Sequence, residues 1–203
     1  YAATPGSNGV DAWSSPTRSN NGQRVNWTRR EIAERLLAEV NKGTRFLAGI
    51  DHGFSMPMSY FARYGLESWP SFLSDFVHHW PTHQDYVCVD FVRDGNLFRT
   101  GDAPPPGTRT GSADEFRLTE RWTSSAKSVF LFDVQGSVAK STHAGIPWLK
   151  WLRDQTGDRL HMWPFDGWAV PANKAVLVEI YPSIFRNRYE REGRTPDQQD
   201  AYA

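Results

Sequence analysis

Ile32, Leu36, Leu37 and Val40 recur at helical spacing between polar residues, the stripe of an amphipathic helix. Thr28 stands where an N-cap belongs and Glu31 three residues on, the pair a capping box requires, and Gly43 closes the pattern. Phe46 to Asp51 is a short apolar run that predicts a strand, so the first ordered unit reads as helix then strand, of α/β type. A second helix is predicted from about Ser71 to His79, where Phe72, Leu73, Phe76 and Val77 share a face. Tyr86 to Val92 alternates as a strand would, and Ser128 to Phe132 is another short apolar strand.

The small-residue stretch Gln135 to Gly145 predicts a loop, leading into a helix around Pro147 to Arg153. Val176 to Pro182 then reads as a buried strand with Glu179 in its middle. Ile184 and Phe185 open a basic helix through Arg186, Arg188 and Arg191, and Thr195-Pro-Asp-Gln198 opens the final one with cap, Pro and Gln in place. Two segments lack such patterns. Residues 1–26 are rich in Pro, Gly, Ser and Asn and predict a loop-like arm. Asp94 to Ala113, with three consecutive prolines, predicts a long polar loop of the kind that serves as a lid.

At 203 residues the chain fits one domain, 27–203, behind the arm. Lys plus Arg and Asp plus Glu both number 23, so no global basic field holds nucleic acid and any such partner needs a local basic patch. The single Cys88 rules out an internal disulfide, and the absence of a charged leader before an apolar stretch makes the cytoplasm the expected location. No run reaches the roughly 18 apolar residues of a membrane helix, so no membrane partner is expected.

An ionised Glu inside an apolar strand is costly unless a cation or hydrogen-bond donors compensate it. Asp51, Glu179 and Asp200 come from a strand end, a strand and a helix, a convergence that suits hard oxygen coordination of Mg²⁺ or Mn²⁺. The plainer alternative has Asp51 capping the following turn, Glu179 paired with an Arg of the basic helix, and Asp200 in solvent. Lys140 and the backbone of the Gly136-Ser-Val-Ala loop offer an anion contact, though the spacing fails that of a phosphate-binding loop. His78, His79 and His83 lack a zinc-binding pattern.

Taken in order, Ala48-Gly-Ile-Asp51-His-Gly-Phe-Ser-Met-Pro57, Gly136-Ser-Val-Ala, Gly145-Ile-Pro-Trp-Leu149, Trp163-Pro-Phe-Asp166-Gly, Val178-Glu-Ile-Tyr-Pro182 and Asp200-Ala201 resemble the predicted nucleases catalogued as domain of unknown function 429. The resemblance implies a ribonuclease H-like fold, a mixed sheet flanked by helices. It also implies metal-dependent phosphodiester hydrolysis, with Asp51, Glu179 and Asp200 as catalytic metal ligands and Arg186 and Arg188 on phosphates. The chain departs from that pattern where nothing before Trp27 reads as the opening strand with its own Asp, and where the last helix ends at Ala203. Two rivals stand beside the nuclease. One is a non-catalytic ligand- or partner-binding module on the same scaffold, which calls for a contiguous exposed patch formed by at least some of Trp13, Trp69, Trp80, Trp122 and Trp168. The other is an actin-like phosphotransferase using the Gly136 loop.

Overall fold

The computed structural model describes residues 2–3, 10–11, 27–95, 109–123, 126–185 and 187–202. Two-residue strands β1 (Ala2–Ala3) and β2 (Val10–Asp11) pair antiparallel, and the remainder of the expected arm lies outside the described residues. Helix α1 (Arg29–Asn41) starts at the predicted box, with Glu31 N donating to Thr28 Oγ1 at 3.2 Å and Glu31 Oε2 accepting from Thr28 N at 2.7 Å. Gly43 follows at φ +73°, a left-handed conformation open to Gly. Strand β3 (Leu47–Ile50) comes next.

Met58–Tyr64 forms helix α2, unmarked in the sequence pattern; Pro57 precedes it and Gly65 ends it at φ +63°. Helix α3 (Trp69–His79) begins two residues before the predicted start, because Ser68 caps it. The strand expected at Tyr86 to Val92 is instead an approach to helix α4 (Val89–Arg93). Val89 and Val92 are its buried residues, and their spacing of three puts them on one helix face, where a strand would turn them to opposite faces. Ser128 to Phe132 is likewise not a strand: Ser128 Oγ accepts from Phe130 N at 3.2 Å, bending the segment into a turn that buries Val129 and Phe130. Most of the expected lid, 96–108, lies outside the described residues.

Helix α5 is Leu118–Trp122, and α6 spans Ala139–Thr156. The second takes in most of the expected loop and carries Pro147 in its interior. Pro147 has no N–H to give His143 O, and Thr82 Oγ1 donates to that carbonyl instead at 2.8 Å. Strand β4 (Leu160–Trp163), unmarked in the sequence pattern, and β5 (Ala175–Glu179) complete a three-stranded parallel sheet in the order β3-β5-β4. Glu179 is thus the last residue of its strand, not the middle of one. The basic helix after it is a 3₁₀ turn, Pro182–Ile184, followed by further turns. The closing helix α7 (Pro196–Tyr202) has its expected box, Thr195 N to Gln198 Oε1 at 2.9 Å and Gln198 N to Thr195 Oγ1 at 3.3 Å.

The protein is therefore α/β with a small parallel sheet. Ala175, Leu177, Leu160 and Met162 are buried and join the core that α1, α3 and α6 complete. Around His143 on α6, Phe76, Trp80, Phe130 and Phe132 form an aromatic cage. No helix among the described residues is long and apolar enough to cross a membrane.

Candidate site at the carboxyl edge of the sheet

Parallel sheets bind ligands beyond the carboxyl ends of their strands, and β3 and β5 end side by side there, with Ile50 in register with Glu179. The chain leaving β3 folds into a loop of buried residues, His52 to Phe54, that is tied down on three sides. Gly53 N donates to Thr142 Oγ1 at 2.9 Å, Phe54 N to Glu179 Oε2 at 2.9 Å, and Trp69 Nε1 to Phe54 O at 2.8 Å. His52 Nδ1 lies 2.9 Å from Gly53 O, so that nitrogen carries the proton. Its ring lies against α6 at Gly145, where a Cβ would stand 2.2 Å from Nε2.

Glu179 is half-buried and its cation is Arg117. Nη2 reaches Oε1 at 2.7 Å and Nη1 reaches Oε2 at 2.8 Å, a fork on a fork. Arg117 Nε meanwhile donates to Glu120 Oε1 at 2.7 Å, and Glu120 Oε2 accepts from Arg117 N at 2.8 Å. One part-buried guanidinium thus joins two carboxylates. Burial works to lower the Arg117 pKa, and the charges and hydrogen bonds of Glu179 and Glu120 outweigh it and raise it. Arg117 reaches this position because the segment before it is pinned to α2: Arg63 Nη2 to Glu115 Oε1 at 2.6 Å, and Tyr64 Oη to Thr110 O at 2.9 Å. His52 beside the cluster is lowered to about 4, chiefly by burial.

Of the expected ligands, Asp51 is exposed just past β3. The register gives it the parity of Ile180 rather than of Glu179, so alternation starts the two acids toward opposite faces of the sheet. Asp200 lies on α7, which packs on the 3₁₀ turn after β5 and on β1 and β2. Among the described residues no three His, Cys, Asp or Glu side chains gather as a metal-binding group. Glu179 has both oxygens on Arg117, so in this arrangement the donor set does not fit Mg²⁺ or Mn²⁺, which would have to displace a guanidinium.

The expected phosphate contacts are dispersed. Lys140 is neutralised by Asp90 at 2.9 Å and Asp133 at 3.4 Å. Arg188 is exposed in a turn, its backbone N–H donating to Phe185 O at 2.8 Å, and Arg186 lies outside the described residues.

No family model, curated protein or solved structure matches this chain.

Arg117, Glu120 and His52 are the residues that sequence reasoning missed. The one local signal for the first two was their spacing of three, which places Glu120 at the third position of a helix that Arg117 caps. Of the tryptophans in question, Trp69 and Trp80 are buried, Trp122 and Trp168 are each 76% exposed, and Trp13 lies outside the described residues.

Proposed function

We propose that this protein is a non-catalytic partner-binding module on an α/β scaffold, and that α5 presents its contact surface. The observation that carries this reading is the division of α5 into two sides. Arg117 and Glu120 fasten it to Glu179 at the sheet edge, while Leu118 and Trp122, one turn apart on the other side, are 60% and 76% exposed. A helix held by a bidentate ion pair shows its apolar side chains in a fixed geometry, which lowers the ordering cost of binding. An exposed Trp beside a Leu suits an apolar pocket on another protein, and zero net charge argues for that class over nucleic acid. The test places a photo-crosslinking phenylalanine analogue at position 122, and separately at position 168 as an exposed control. A defined protein adduct at 122 and none at 168 is expected; equal, heterogeneous labelling at both would sink the reading.

A second reading, metal-dependent phosphodiester hydrolysis on a ribonuclease H-like scaffold, is favoured by the emergence of Asp51 and Glu179 from adjacent strands. A Mn²⁺ titration by calorimetry separates the two. Uptake by the wild type that is lost in Glu179→Gln favours the hydrolase; no uptake by either leaves the binding module.

A further inference from the structure

The two edges of the sheet are unlike. In the β3–β5 ladder, Val176 N donates to Phe46 O at 2.8 Å and Ile180 N to Ile50 O at 3.0 Å. Residues 46, 48 and 50 thus turn their backbone groups toward β5, and by alternation Leu47 and Gly49 turn theirs outward. Among the described residues β3 pairs with β5 alone. Its Leu47 is 73% exposed. An open strand edge carrying an exposed apolar side chain, with no Pro or Lys inside it, templates further pairing unless something covers it.

We infer that a second copy of this chain covers it, with β3 adding antiparallel to β3 about a two-fold axis at Ala48, so that two three-stranded sheets become one of six. The register is selected by charge. Arg45 and Asp51, both exposed, stand three residues either side of Ala48, so this axis alone puts Arg45 opposite the partner's Asp51 and repeats the pair by symmetry. An axis at Leu47 puts Arg45 opposite the partner's Gly49, and one at Gly49 puts Asp51 opposite the partner's Leu47; neither pairs the charges. The Ala48 register also sets Leu47 opposite the partner's Gly49, both outward-turned, forming about four backbone hydrogen bonds between them and their symmetry mates. Each Leu47 then settles beside the partner's Ile180, which leans over Gly49, 2.8 Å from where a Cβ would stand. Zero net charge leaves no self-repulsion to oppose the approach.

Two four-residue strands bury less than a standard interface, so the expected dimer is weak, with Kd on the order of 10–100 µM. The experiment is sedimentation equilibrium on the wild type, on Arg45→Asp, on Asp51→Arg, and on an equimolar mixture of the two variants. Each reversal sets like charges across the axis twice, and dimerisation is expected to weaken at least about tenfold. In the mixture a chain acidic at both positions meets one basic at both, so opposite charges face each other at each end, and the dimer is expected to return. Recovery in the mixture also shows that neither variant is misfolded. A wild type that stays monomeric into the hundreds of micromolar overturns the inference, as it would if another part of the chain covers the edge. So does a dimer indifferent to both reversals, or a mixture that stays monomeric.

Discussion

Arg117 closes on Glu179 with two parallel hydrogen bonds, Nη2 to Oε1 at 2.7 Å and Nη1 to Oε2 at 2.8 Å, while its Nε holds Glu120. A single side chain thereby joins the N-cap of α5 to the last residue of β5, across 62 positions of sequence. The β3 loop shares the junction, because Glu179 Oε2 also accepts from Phe54 N.

This sharing ranks two substitutions. Arg117→Ala leaves two carboxylates facing each other, one of them almost wholly buried, and is expected to cost about 3–5 kcal/mol. Glu179→Gln keeps an acceptor for Phe54 N and leaves Arg117 paired with Glu120; with Glu179 partly exposed, its cost is expected at about 1–3 kcal/mol. Arg117→Lys would lose the fork and recover little of the difference. Urea unfolding of the variants measures the ranking, and a Glu179→Gln loss as large as that of Arg117→Ala would refute it.

Gly145 sits inside an 18-residue helix, where Ala would ordinarily gain about 1 kcal/mol. The His52 ring occupies the space its Cβ needs, 2.2 Å from Nε2 and 2.5 Å from Cδ2. Gly145→Ala is therefore expected to destabilise by about 1–2 kcal/mol net, overpacking exceeding the gain in propensity. If the ring is the cause, Gly145→Ala in a His52→Ala background regains the propensity gain, and a denaturant midpoint that falls there too would exclude His52 as the reason for the glycine.

Burial is the main cause that lowers both His52 and His143 to about 4. In His52 the Gly53 carbonyl and Glu179 oppose it, with Arg29 and Arg117 adding to it; in His143 the Ala139 carbonyl opposes it. Between pH 6.5 and about 4 the unfolded chain takes up protons that these folded rings refuse. Stability conferred by the neutral rings is thus complete above pH 6.5 and is lost as pH falls through that window. Burial lowers His79 and His83 as well, in the same sense. His143→Phe, a ring replacement inside a cage of Phe and Trp, should remove one proton from the uptake on unfolding, a change of about 1.4 kcal/mol per pH unit in slope at most. Denaturant unfolding at about pH 5 and about pH 7 measures it, and an unchanged difference between the two would show that His143 already titrates normally.

What the sequence made legible was local. Thr28 with Glu31 and Thr195 with Gln198 mark helix starts because a capping box is complete within four residues, and the runs at β3 and β5 mark strands because nothing nearby competes. The run Tyr86 to Val92 alternates as a strand would, while Val89 and Val92 share a helix face, and packing against the core decides for α4. The Gly145 contact with His52 and the grip of Arg117 on Glu179 span 93 and 62 positions, with no spacing rule to announce them. The carboxylate at 179 was visible as an anomaly needing a cation, and of the compensations weighed the folded chain supplies an Arg, though from α5 and not from the segment after β5.

Pro147 leaves a testable mark on the same helix. Its missing N–H would have served His143 O, and Thr82 Oγ1 serves it at 2.8 Å from outside the helix. Thr82→Val removes that donor and leaves a buried carbonyl unpaired, which is expected to cost about 1–3 kcal/mol. Pro147→Ala alone restores a helical donor that competes with Thr82 for one acceptor. In a Pro147→Ala background the loss on Thr82→Val should therefore shrink, since the carbonyl then has the restored N–H at position 147. The two substitutions are coupled through one oxygen, and a double-mutant cycle reads that coupling directly. A coupling of about 1 kcal/mol or more, with the double variant more stable than the sum of the singles predicts, is the expected result. Strict additivity would mean that Thr82 merely rests near His143 and that water already satisfies the carbonyl.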